Sequence, residues 1–206
     1  MPRRSAAQVE DDRALTLRAA VDLASVVGLE GITIGGLADE LGMSKSGLAG
    51  RFGSKEQLQL ATLGLAVEMF RVTVYGPASR KPAGLARLHC ICDRWISYIG
   101  EPCFPGGCFL TTASVEFDAR EGAVHDAVKL AINRWLVLLE TEAAVALAAG
   151  DLPGDADPAD VAFALNALAI GINCEYQLNR DARTLDRGRR AMAGVLAGAL
   201  KEPAVR

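Results

Sequence analysis

The sequence predicts an all-α protein, with an N-terminal three-helix unit of helix-turn-helix form followed by a larger C-terminal helical domain. Three observations predict it. Ala and Leu are abundant while β-branched runs are short, a composition that favours helix. Apolar residues recur three and four apart, and no stretch shows the alternation of a half-buried strand. Glycines and prolines fall at intervals that read as element ends.

The elements follow in order. Over 12–27, Leu15, Ala19, Leu23 and Val27 recur at every fourth position and are expected to face inward, with Gly28 as the stop. Thr33 offers an N-cap to a short helix carrying Ile34, Leu37, Ala38 and Leu41, and Gly42 closes it where a positive φ is suited. Ser44 caps a brief third helix from Lys45 to about Arg51, which Gly53 breaks. Ser54 with Gln57 has the capping-box form and opens a fourth helix reaching about Tyr75. The Pro-rich, basic stretch 76–82 is the candidate junction. Beyond it the pattern predicts helices over about 83–99, 108–117, 121–149, 158–179 and 185–200. Pro- and Gly-rich loops lie at 101–107 and 151–157, the second ending in Asp157 as N-cap and Pro158 as first helical residue. The domains expected are a flexible tail at 1–10, the helix-turn-helix unit at 11–55, a connecting helix and junction at 56–82, and the larger domain at 83–206.

Composition excludes several classes. Half of the 206 residues are apolar, yet no uninterrupted apolar run approaches the ~18 to 20 residues of a membrane span. Met1 and its neighbours carry Arg3 and Arg4 with no apolar stretch behind them, so neither secretory signal nor anchor is read there, and a cytoplasmic location is expected. Five cysteines, irregularly spaced and odd in number, suit reduced thiols better than a disulfide framework. A formal charge of −3 argues against a nonspecific polybasic binder of nucleic acid, since counterion release needs many cations facing phosphates. Any DNA binding must come from local placement. In the first sixty or so residues the cations Arg3, Arg4, Arg13, Arg18, Lys45, Arg51 and Lys55 are offset by acids, but three of them crowd into 45–55.

Residues 33–52 carry the functional signal. Two short helices joined by a tight turn at Gly42 and Met43 form a unit whose second helix offers its outer face to a major groove. Ser44, Lys45, Ser46, Gly47 and Arg51 lie on or near that face. Lys45 and Arg51 suit phosphates or guanine edges, and Lys55, in the first turn of the next helix, can add a phosphate contact beside that helix's N-terminal amides. The stretch GITIGGLADELGMSKSGLAGRFGSKEQLQLATL, preceded by an Ala-rich helix, resembles the tetracycline-repressor (TetR) family of regulators. The later segment PGGCFLTTASVEFDAREG and the helix count resemble it more loosely. The resemblance implies a DNA-facing set of Thr33, Ser44, Lys45, Ser46, Gly47, Arg51 and Lys55, and double-stranded operator DNA as a partner. One departure stands out. Ala49 and Gly50 occupy positions where the family usually carries an aromatic anchor and a stiffer helix, which predicts a weakened or DNA-assisted recognition helix. For Arg3 and Arg4, a solvated tail is expected in preference to an arm reaching into the minor groove.

For the C-terminal half the resemblance implies a ligand-binding and dimerisation domain, with a small, often hydrophobic effector whose binding releases a repressor from a near-palindromic operator. Trp95, Tyr98, Phe109, Phe117 and Trp135 are the candidate pocket residues. Val161, Leu165, Leu168 and Ile172, and Leu185, Met192 and Val195, follow the spacing of helix-packing seams and are the candidate homodimer interface, with Ala169, Gly171 and Gly188 allowing close approach. His89 with Cys92, and Cys90 beside them, make a poor chelate on a helix, so no metal and no cofactor is expected. Cys103 and Cys108 bracket a Pro-Gly loop, which leaves a cysteine-based redox regulator as one alternative and a helical protein-interaction adaptor as another. Neither His89 nor His125 sits in a nucleophile or base constellation, so no enzyme is expected. The charged group Glu116, Asp118, Arg120 and Glu121 reads as a solvated helix end.

Overall fold

A computed structural model describes residues 6–101 and 103–198. The chain is all-helical, with no strand among the described residues. Its elements are α1 (Ala6–Val27), α2 (Ile34–Glu40), α3 (Lys45–Phe52), α4 (Lys55–Phe70), a π-helical turn (Arg71–Tyr75), α5 (Gly76–Ala78), α6 (Leu85–Gly100), α7 (Phe109–Phe117), α8 (Ala123–Ala148), α9 (Pro158–Asn179) and α10 (Ala182–Leu196). Helix α1 therefore includes residues 6–10, which were expected in a flexible tail. Arg3, Arg4 and the end of the last predicted helix lie outside the described residues.

Compactness divides the chain differently from a linear partition. One unit gathers residues up to Met69 with Phe104–Leu130, and a second gathers Phe70–Cys103 with the chain from Ala131 onward.

In the first unit, α1 buries Thr16, Ala20, Val21, Ala24 and Ser25. Leu15, expected inside, is 71% exposed, and Val27 is exposed as well. The helix turns its small residues inward because a close neighbour lies against them. At Gly106 any Cβ would overlap the Ser25 carbonyl, so only glycine permits the approach. Gly106 N–H donates to Ser25 Oγ at 3.1 Å, and the Arg18 guanidinium sits 5.8 Å from the centre of the Phe104 ring. Leu37 and Ala38 of α2, Leu48 and Phe52 of α3, and Leu58, Leu63 and Ala66 of α4 complete this core. Ile34 and Leu41, expected inside, are only half-buried.

In the second unit, α6, α9 and α10 pack on one another. A Cβ at Gly188 would come within 2.6 Å of Ile172 Cδ1, so this glycine serves the chain's own α9–α10 contact. Arg189 Nε pairs with Asp93 at 3.2 Å, tying α10 to α6, and Arg187 pairs with Glu175 at 3.1 Å. Glu142, buried on α8, accepts from Gly84 N–H at 2.8 Å and from Arg87 at 2.6 Å. A buried carboxylate is tolerated when it is paired and hydrogen-bonded in this way. As the sequence predicts, Asp157 caps α9, accepting from Ala159 N–H at 2.8 Å. No helix among the described residues is long and apolar enough to cross a membrane.

Candidate nucleic-acid interface and effector site

The recognition unit is set by two hydroxyl caps. Thr33 Oγ1 accepts from Gly36 N–H at 2.9 Å and starts α2, while Ser44 Oγ accepts from Gly47 N–H at 3.2 Å and starts α3. Such caps contribute about 1 kcal/mol each by satisfying amides that the helix leaves without partners. Between them Gly42 takes φ +60, and Met43 N–H returns to Ala38 C=O at 2.8 Å. Leu48 and Phe52, four residues apart, anchor α3 from below. That leaves Ser44, Lys45, Ser46, Gly47 and Gly50 exposed on the opposite side. A Cβ at Gly47 would lie 2.9 Å from Ser44 Oγ, so glycine there leaves room for the cap while keeping the outer face flat.

The three cations expected to face DNA are not equivalent. Lys45 is exposed, its Nζ 3.6 Å from the Asp39 carboxylate. Arg51 is half-buried and donates to Thr16 Oγ1 of α1 at 3.1 Å. Lys55 pairs with Glu30 Oε1 at 2.7 Å, and Gln59 donates to Glu30 Oε2 and to the Leu29 carbonyl, both at 2.9 Å. The Lys55 and Gln59 hydrogen bonds, in that order, hold the Glu30 carboxyl below its ordinary value of 4.5. In this structure Arg51 and Lys55 brace the recognition unit from within, and Lys45 is the expected cation that stands on its outer face. Ser54 Oγ accepts from Gln57 N–H at 3.1 Å, as the capping-box pattern predicts.

One residue of this unit escaped the sequence reading. Glu116 of α7 accepts from Leu29 N–H at 2.7 Å and from Glu30 N–H at 3.1 Å, the two amides that leave the turn after α1. Its charged neighbours Asp118, Arg120 and Glu121 are exposed, as expected of a solvated helix end, but Glu116 is not one of them in function. No local pattern carries this signal, because the partners lie more than eighty residues away along the chain.

The candidate pocket aromatics separate into two groups. Trp95 and Tyr98 of α6 and Trp135 of α8 meet Phe70, the last residue of α4, in the second unit. Phe70 lies 5.8, 5.3 and 4.8 Å from the centres of Trp95, Tyr98 and Trp135, each pair close to perpendicular, and Trp95 stands 5.1 Å from Trp135. Phe109 and Phe117 belong to the first unit, where Phe109 faces Phe104 at 6.1 Å and Phe117 lies under the Arg120 guanidinium. Phe70, at a helix end, was absent from the expected set.

The expected dimer seam is largely consumed inside the chain. Val161, Leu165, Ile172, Met192 and Val195 are buried, and Leu168 and Leu185 are half-buried. A seam spacing reports that a helix packs, not against which partner. The apolar face that remains uncovered runs along the other side of α9: Phe163 is 71% and Leu178 84% exposed, with Ala167, Gly171 and Cys174 exposed between them. Beside it a groove of about 410 Å³, lined by Ala167, Gly171, Gly188 and Ala191 among others, lies between α9 and α10. Of the thiols, Cys174 is exposed and Cys92 buried, and burial pushes the Cys92 thiol up to about 12. His89 is exposed, whereas Cys92 is buried.

An all-helical chain with capped short helices around a glycine turn, and a flat, polar outer face on the second of them, defines a helix-turn-helix DNA-binding regulator. Residues 17–62 match the family described as bacterial regulatory proteins, tetR family, and residues 84–192 match the tetracyclin repressor-like C-terminal domain. The chain belongs to the TetR family of transcriptional regulators. Solved structures agree at the level of fold. A TetR transcriptional regulator from Chloroflexus aurantiacus is 22% identical with a TM-score of 0.83, covering 92% of this chain and 96% of that one. SCO4454 from Streptomyces coelicolor is 22% identical with a TM-score of 0.77, covering 91% and 95%. AibR, solved in complex with isovaleryl coenzyme A and operator DNA, is 19% identical with a TM-score of 0.73, covering 88% and 95%. No curated protein matches the sequence.

Proposed function

We propose that this regulator is a dimeric, ligand-responsive repressor, which binds a near-palindromic operator through α3 and is released when a small, largely apolar effector occupies the C-terminal domain. The observation that carries the reading is the outer face of α3. Ser44, Ser46 and Gly47 stand exposed there as small residues beside the one long cation Lys45, over a core fixed by Leu48 and Phe52. A similar fold binding both an acyl-coenzyme A and operator DNA in AibR supports a two-site mechanism. Each subunit contributes one reading helix, so two-fold protein symmetry calls for two half-sites about one helical turn apart. The effector acts by differential binding, favouring the form with low operator affinity and lowering that affinity by a coupling free energy of about 1 to 3 kcal/mol. The reading places the DNA-binding region at 11–55, the connecting segment at 56–82 and the effector and dimer domain at 83–206, in a cytoplasmic, non-enzymatic protein.

For the subunit interface we favour the exposed α9 stripe from Phe163 to Leu178, together with the half-buried Leu168 and Leu185. For the contacts to DNA we favour Thr33, Ser44, Lys45, Ser46 and Gly47, with Arg51 and Lys55 acting on the head's own geometry. Selection of bound duplexes from random sequence tests the reading. It predicts a two-fold symmetric consensus, whose binding Lys45→Ala weakens across all sequences alike while Ser44→Ala and Ser46→Ala change the consensus. Failure to enrich any sequence overturns it.

A further inference from the structure

The two tryptophans of the chain, Trp95 and Trp135, share one cluster, and their side chains are 3% and 8% exposed. Neither indole Nε1–H has a hydrogen-bond partner among the described residues, although both atoms are shut off from solvent. Buried donors without partners are rare, and leaving one unmet is costly relative to a satisfied one. Two in one cluster, on two different helices, point to an acceptor that arrives from outside the chain. The rest of the cluster is aromatic, Phe70 meeting Trp95, Tyr98 and Trp135 edge to face at 4.8 to 5.8 Å, with the buried Tyr98 hydroxyl as its one further polar group. The buried carboxylate of the same unit, Glu142, is already closed on Arg87 and the Gly84 amide.

A second observation lies next to the first. The residue after Phe70 opens the π turn Arg71–Tyr75, closed by Gly76 N–H donating to the Arg71 carbonyl. A widened turn of this kind strains the helix ladder and is frequent where a helix serves a ligand.

Building on the effector reading above, we propose that the effector is a neutral, planar or aromatic molecule bearing a carbonyl-type acceptor, which docks against Phe70, Trp95, Tyr98 and Trp135 and takes the indole N–H of Trp95 or Trp135. Four rings, two indole N–H groups and one phenol supply no formal charge. A carboxylate would lose its hydration there without a counter-cation, whereas a ketone oxygen recovers the donors at little desolvation cost. The rings favour a flat partner that stacks or meets them edge-on.

Matched probes of one shape test this: 9-fluorenone against fluorene, and acetophenone against ethylbenzene, which differ chiefly in the carbonyl. The uniformly 15N-labelled full chain gives two indole cross-peaks, one for each tryptophan. The expected result is that a ketone binds at least tenfold more tightly than its hydrocarbon and moves an indole proton downfield, and that Trp95→Phe or Trp135→Phe abolishes the preference while hydrocarbon binding persists. Equal affinity within both pairs, absence of binding by all four probes, or unmoved indole peaks on ketone binding overturns the proposal. So do indole protons already shifted far upfield in the free chain, because the donors then rest on neighbouring ring faces. The spectral arm uses the natural sequence and stands even if a tryptophan variant fails to fold. Gel shifts with the selected operator on the same sample separate the two readings: loss of DNA binding strikes the regulator, while unmoved indoles with intact DNA binding strike only the ligand class.

Discussion

Glu116 accepts from the Leu29 and Glu30 amides in the turn after α1, and those amides precede the helix-turn-helix. Its truncation leaves Leu29 and Glu30 N–H groups facing a partly buried gap. Glu116→Ala is expected to lower stability by about 1 to 3 kcal/mol, read by urea denaturation, with amide exchange at Leu29 and Glu30 accelerating before the rest of the unit. Glu30 itself gives a pH signature. Its folded-state pKa lies below the ordinary 4.5, so its stabilisation is fully present above that value and is lost as pH falls through the lowered one. The group is partly exposed, which keeps the effect small. Glu30→Gln is expected to flatten the acid limb of the stability profile and to leave the neutral plateau lower by the lost Lys55 pair. The caps at this scale were legible from the sequence, because Thr33, Ser44, Ser54 and Asp157 act on amides two or three residues away. Glu116 was not, since nothing near it in the chain needs its charge.

At the scale of the helix, α3 forms over Lys45–Phe52 despite Ala49 and Gly50. A Cβ at Gly50 meets nothing within 4 Å, so alanine there fits without strain and removes backbone freedom from the unfolded chain. Gly50→Ala is expected to raise stability by up to about 1 kcal/mol, measured as a shift in the urea midpoint at constant slope. Helix positions were readable from periodicity, yet the inward face of α1 was not. Leu15 and Val27 fit the fourfold spacing as well as Ala20 and Ala24 do, and hydrophobicity alone favours the larger residues. What selects the alanines is the tight approach at Ser25 and Gly106, a tertiary fact. The same ambiguity governed α9, where Val161, Leu165 and Ile172 were visible as a seam and are buried within the chain, while Phe163 and Leu178 are exposed.

For the whole molecule, the exposed face of α9 makes association and thiol chemistry one measurement. Phe163→Glu places a charge on the apolar stripe and is expected to shift the protein to monomer in sedimentation equilibrium, with operator affinity falling by at least tenfold because the two heads no longer bind as a pair. Cys174, on the same stripe, should label slowly in the dimer and rapidly in that variant. Cys92, whose thiol is pushed up to about 12, should label only on unfolding in both. Rapid labelling of Cys174 in the unaltered protein at high concentration would place the partner elsewhere.

The π turn has a consequence for what lengths of chain this protein tolerates. Phe70, Val74 and Ala78 are all buried and recur at every fourth residue. In a regular α-helix of 3.6 residues per turn, two such steps drift by about 80°, enough to carry the last of them off the packed face. The wider turn between Arg71 and Tyr75 takes back part of that drift, in the manner of a single inserted residue absorbed as a bulge. Removing one residue from 71–75 shortens the interval from Phe70 to Ala78 to seven residues, which a regular helix returns to within about 20° of the same face, so a single deletion there is expected to close the bulge and leave the packed face in place.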